Sequence, residues 1–104
     1  GRATAYHASL VTSLVQNALS NEGVSPIEAI SMCPTYYGRK NKKGSAVSMM
    51  EWQKNSAINI SAAAKMSPEA LEGKFLIGEL KNSPEPEYTN EYQKIIDRLK
   101  KESQ

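Results

Sequence analysis

The run Ser25-Pro26-Ile27-Glu28-Ala29-Ile30-Ser31-Met32-Cys33-Pro34 decides the fold class, because its first four residues form a helix-start signal. Ser25 can accept a hydrogen bond from a free backbone N–H, Pro26 suits a first helical position, and Glu28 can reach back in a capping box. On that grammar a helix opens at Ser25. Pro34 disfavours helical geometry at Cys33, so the helix is short. Pro34 can open one further turn through Thr35, Tyr36 and Tyr37, after which Gly38 and residues 39–44 read as irregular and exposed.

Upstream, Ala3, Tyr6, Leu10, Val11, Leu14, Val15, Ala18 and Leu19 recur at helical spacing, and Gly23 follows the last of them as a helix stop. Downstream, Ser45 to Ala64 carries a blurred helical pattern, expected as one long helix or as two with a break near Asn55 or Asn59. Ser67-Pro68-Glu69 is a second cap signal, and it opens an expected helix with Leu71, Phe75, Leu76 and Leu80 on its inner stripe. Asn82 to Glu87 is a proline-rich connection. Tyr88, Tyr92, Ile95, Ile96 and Leu99 form the last stripe, with Arg98, Lys100 and Lys101 suited to the negative pole of its helix. No segment shows convincing two-residue alternation. The expected fold is therefore all-α, a compact bundle of five or six short helices forming one domain over residues 1–104.

At 104 residues, with 39% hydrophobic and 23% charged side chains, the chain has room for one core and no inter-lobe cleft. It contains no run long and apolar enough for a membrane span and no signal-peptide pattern near its start, so a cytoplasmic or nucleoid-associated location is expected. With a single cysteine, Cys33, and a single histidine, His7, neither an internal disulfide nor a structural zinc is expected. Cys33 with His7 could act as nucleophile and base, and Glu69 with Glu72 as an acid–base pair. The plainer expectation is a buried cysteine, a surface histidine and two first-turn acids. The glycines form no phosphate-cradling loop. No catalysis and no cofactor are assigned.

The net charge of +2 is concentrated locally: Arg39, Lys40, Lys42 and Lys43 place four positive charges in five residues beside Tyr36 and Tyr37. Such groups can neutralise phosphates and stack on bases. Ser25 to Lys43 resembles a helix-turn-helix, with Thr35 to Lys43 in the recognition position. Ile60-Ser61-Ala62-Ala63-Ala64-Lys65-Met66-Ser67-Pro68-Glu69-Ala70-Leu71-Glu72-Gly73-Lys74-Phe75 is similar to the first helix-turn-helix of the AraC-type regulators. The resemblance rests on Ile60 followed by the small Ser61, on the Met66-Ser67-Pro68 turn, and on Leu71 and Phe75 as anchors. It implies a DNA-binding regulator. Because Glu69 and Glu72 on its exposed face oppose the phosphate field, DNA contact is expected through Tyr36, Tyr37, Arg39, Lys40, Lys42 and Lys43 instead. The competing expectation is a protein-interaction, adaptor or assembly domain, phage or viral components included, in which Met49, Met50 and Trp52 meet a protein partner or a second copy and the basic segment is only solvated. A Gly1 start and a Gln104 end would also suit a viral protease product, though a chosen boundary explains them more simply.

Overall fold

Within the deciding run, Glu28–Ile30 is a strand. In the computed structural model, which describes residues 1–103, the chain passes through β1 (Arg2–Thr4), a 3₁₀ turn (Ala5–His7), α1 (Ala8–Leu19), β2 (Glu28–Ile30) and a wide π turn (Pro34–Gly38). It continues through α2 (Ala46–Ser56), β3 (Ala57–Asn59), α3 (Ile60–Ala63), a 3₁₀ turn (Glu69–Leu71), β4 (Phe75–Ile77) and α4 (Tyr88–Glu102). The all-α expectation is thus corrected to a mixed α/β fold.

β1 and β2 pair in parallel, Arg2 with Glu28, Ala3 with Ala29 and Thr4 with Ile30, and α1 supplies the crossover that parallel strands require. An Arg2–Glu28 ion pair lies over the first of these positions. β3 and β4 form a second parallel pair, with Ala57, Ile58 and Asn59 opposite Phe75, Leu76 and Ile77. One antiparallel bridge joins the two pairs: the Arg2 N–H donates to the Gly78 carbonyl at 3.0 Å, and the Gly78 N–H donates to the Arg2 carbonyl at 2.7 Å. Gly78 turns away from β4 at φ +109°, a conformation glycine adopts without a Cβ clash. The spatial order is therefore β2-β1-β4-β3.

Tertiary partners explain why these segments are extended. Phe75-Leu76-Ile77 is a continuous apolar run, as suits a parallel strand covered on both faces, and Ile77 is almost fully buried. Ala3 and Thr4 are sealed at the centre of the sheet, with Leu14 of α1 and Met49 of α2 also buried. The cap signal at Ser67-Pro68-Glu69 is satisfied by a single 3₁₀ turn, in which the Ala70 N–H donates to Ser67 Oγ. The helix expected beyond it, over Leu71 to Leu80, is replaced by a turn at Gly73 (φ +71°) and β4.

The chain is long for its size. Its Cα radius of gyration is 20.2 Å, against about 13 Å for a compact chain of this length, and its extents are 69 × 35 × 22 Å. α4 follows segment 79–87, which has no regular secondary structure, and contains no buried residue. Among the described residues, no helix is long and apolar enough to cross a membrane.

Candidate functional site

Parallel strands in α/β proteins present ligands at their carboxyl ends, where chain direction leaves a crevice lined by the following turns. Here the carboxyl ends of β1 and β2 lie side by side, since Thr4 pairs with Ile30. Beyond Thr4 comes the turn Ala5-Tyr6-His7. Beyond Ile30 come Ser31, Met32 and Cys33, then the π turn.

One face of α2 organises both turns. Gln53 is 2% exposed, and its Oε1 accepts from the Tyr6 N–H at 3.1 Å while its Nε2 donates to the Ile30 carbonyl at 3.4 Å. A single amide side chain thereby ties the end of β1 to the end of β2. One turn earlier on the same face, Met49 packs against Gly38, so closely that a Cβ on residue 38 would stand 2.9 Å from its Sδ. Gly38 is buried for that reason, and its N–H closes the π turn on the Cys33 carbonyl at 2.8 Å. Ser45 starts α2 as its cap, accepting from the Ser48 N–H.

Two reactive side chains stand on these turns. The Thr4 hydroxyl lies 2.7 Å from His7 Nδ1, and Thr4 itself is fully buried. This contact orients the imidazole and leaves Nε2 as the ring nitrogen free for a ligand. The Tyr6 ring meets His7 edge-on at 5.1 Å and has Lys54 Nζ 5.8 Å from its centroid. Cys33 is exposed, and its thiol is held below the usual thiol value by the backbone N–H groups of Tyr37 and then Tyr36, reinforced by Thr35. The surface-histidine and buried-cysteine expectation is thus reversed, His7 being half-buried and Cys33 open. A shallow, largely apolar groove of about 440 Å³ runs beside β2, between Val11 and Val15 of α1 and Ala29 and Ile30. Among the described residues no cluster of three metal-ligating side chains occurs.

The residues expected to read DNA are not on a recognition helix. Tyr36 and Tyr37 are exposed on the π turn, and Lys40 Nζ donates to Tyr36 Oη at 3.0 Å while standing 4.1 Å from that ring's centroid. Arg39 ends the turn, the Lys43 N–H returns to the Gly38 carbonyl at 2.8 Å, and Lys42 takes a left-handed φ of 53°. The element before them is a strand, so no helix-turn-helix exists at Ser25 to Lys43. At Ile60 to Phe75 a four-residue helix is followed by a 3₁₀ turn and a strand, which removes the AraC-type geometry as well. Of the expected partner-binding residues, Met49 is core, Met50 is half-buried, and Trp52 is exposed with its ring 5.5 Å from that of Phe75. Sequence reasoning passed over Thr4 and Gln53; the only cue was the Thr4-to-His7 spacing, which a helical reading of Ala3 to Leu19 absorbs.

No family model matches the chain, and no solved structure matches it. Curated relatives do. The chain is 48% identical over 86 residues, 83% of its length, to the 2-oxoglutarate synthase subunit KorB of Methanothermobacter marburgensis, and covers 30% of that protein. It is 42% identical over 92% of its length to KorB of Methanothermobacter thermautotrophicus, covering 34% of it. With KorB of Methanocaldococcus jannaschii it shares 37% identity over 95% of its length and 36% of the relative. These similarities are to an enzyme subunit. They overturn the non-enzymatic reading, the DNA-binding regulator, the DNA partner and the adaptor alternative. The chain spans about a third of the length of the curated relatives it matches.

Proposed function

We propose that this chain serves 2-oxoglutarate synthase chemistry as a KorB-like segment, working in the cytoplasm together with other subunits of that enzyme. The observation that carries this reading is the 48% identity to a KorB subunit sustained over 86 residues. The structure supports a local role for the turns after β1 and β2. The product named for the relatives, 2-oxoglutarate, is a dicarboxylate with a ketone beside one carboxylate. It calls for N–H donors and positive charge around a small polar pocket. With the Thr4 hydroxyl donating to Nδ1, His7 Nε2 carries the ring proton and offers such a donor, and Lys54 stands by Tyr6 on the neighbouring helix. Gln53 keeps the two turns at a fixed separation, so that groups on either can act on one ligand.

The test is a chimera in which this chain replaces the matching third of Methanothermobacter marburgensis KorB, assembled with the remaining subunits. Retained formation of 2-oxoglutarate, lost selectively in His7→Ala, is the expected result. A folded, assembled chimera without activity rejects the reading.

A further inference from the structure

We propose that α4 is a docking arm that seats in an apolar groove, rimmed by carboxylates at one end, on another subunit of the synthase. This rests on the functional reading above. Tyr88, Tyr92, Ile95 and Leu99 follow one another at spacings of four, three and four, which places them along one side of a helix about 22 Å long. All four are exposed, Tyr88 by 77% and Leu99 by 53%, and the two tyrosine rings stack on each other 6.1 Å apart. Aromatic side chains present about 150–250 Å² each, so the stripe shows roughly 500 Å² of surface, the size of the largest and often functional patch on a soluble chain.

The area argues against a second copy as the occupant. Two such stripes face to face would remove roughly 1,000 Å² at most, short of the about 1,200–2,000 Å² of a stable specific interface. A groove that also covers the flanks of the helix removes more. Among the described residues the chain's own body does not cover α4: segment 79–87 runs beside the end of α1 and the loop after it, and the helix it leads to has no buried residue. The charges describe the groove. Lys94 pairs with Glu91, and Gln93 donates to Asp97, so the polar groups of the first turns are engaged within the helix. At the far end Arg98, Lys100 and Lys101 make no ion pair among the described residues and stand near the negative pole of the helix, which suits acidic residues on the partner. With acidic side chains spread along its polar face, α4 is poorly suited to an anionic membrane.

The experiment uses the assembled chimeric synthase and reads subunit mass by light scattering through a dilution series. Ile95→Glu with Leu99→Glu is expected to weaken association by about 100-fold, the effect of removing a buried interface anchor. Asn90→Glu, on the opposite side of the helix, is expected to change it by less than about 3-fold, within the small effect of a rim charge. Replacing Arg98, Lys100 and Lys101 by Gln is expected to weaken association by about 10-fold and to flatten its salt dependence. Melting of the isolated chimeric subunit is expected to be unchanged in all three. A complex that survives Ile95→Glu with Leu99→Glu overturns the proposal while leaving the functional reading in place. Loss of subunit melting stability in that variant overturns it in favour of cover by the same polypeptide, and stripe-dependent binding to anionic vesicles with the complex intact overturns it in favour of a membrane. An unmodified chimera that never joins the other subunits rejects the functional reading and this proposal together.

Discussion

Replacing Gln53 by Leu tests the link between α2 and the two strand ends. The substitution preserves most of the side-chain volume and removes both polar contacts. The Tyr6 N–H, now held at 3.1 Å by Gln53 Oε1, loses its partner in a part-buried position, which costs about 1–3 kcal/mol. The Ile30 carbonyl loses a longer bond of 3.4 Å, worth about 0.5–1 kcal/mol. The expected destabilisation is about 1.5–4 kcal/mol, and at about 4–8 °C per kcal/mol for a chain this size the melting midpoint falls by more than about 6 °C. Thermal and urea unfolding followed by circular dichroism measure it. Gln53→Glu gives an internal check. Protonated, Glu reproduces both contacts; ionised, it places a carboxylate against the Ile30 carbonyl in a buried site. Its folded-state pKa is therefore raised, so the stability of that variant is full at pH values below the usual carboxylate range and falls as pH rises through the raised value. A Gln53→Leu chain that melts within about 2 °C of the parent, a shift equivalent to well under 1 kcal/mol, refutes the assignment of Gln53 as the tie between the strand ends.

Three further outcomes follow from the same contacts. Gly38→Ala puts a methyl group 2.9 Å from Met49 Sδ and 3.3 Å from the Cys33 carbonyl, and is expected to cost about 1–3 kcal/mol in a urea titration through overpacking. Cys33, exposed and held below its ordinary thiol value by the Tyr37 and Tyr36 N–H groups, is expected to alkylate with iodoacetamide at a lower pH midpoint in the folded chain than in urea. Glu87 caps α4 by accepting from Thr89 and Asn90, and the Thr89 hydroxyl above all holds its carboxyl below the usual range. Its contribution to α4 is therefore present above the unfolded-state value and lost as pH falls through the depressed folded-state value, so helicity drops on acidification in the parent but not in Glu87→Ala.

The two longest helices are written plainly in the sequence. The Leu10-to-Leu19 periodicity and the Tyr88-to-Leu99 stripe each persist for three turns or more, and the structure has α1 and α4 there. The strands are not legible in the same way, because each is three residues long and cannot display a two-residue alternation. Their pairing is also non-local: β2 is extended because Arg2, twenty-six residues earlier, supplies its ladder partner, and no local signal in Ser25 to Ile30 contains that information. Ser25-Pro26-Ile27-Glu28 is valid helix-start grammar overridden by tertiary pairing. The same short-range grammar at Ser67-Pro68-Glu69 is spent on one 3₁₀ turn.

The candidate site was legible only in part. His7 and Cys33 were the chemically distinctive residues, yet their significance depends on both following the ends of paired parallel strands. The DNA reading came from charge: Arg39, Lys40, Lys42 and Lys43 are adjacent in sequence, but the structure bends them around a turn in which Lys40 is engaged with Tyr36. Gln53 escaped notice because a polar residue in a blurred helical pattern reads as solvated, and only the fold shows that it is sealed between two strand ends.

The most direct measurement for the central claim is the rate of 2-oxoglutarate formation by the chimeric synthase that carries this chain in place of the matching third of KorB. The expected rate lies within about ten-fold of the parent enzyme, a barrier change of under about 1.4 kcal/mol. A chimera that assembles and melts like the parent subunit yet forms no 2-oxoglutarate contradicts it.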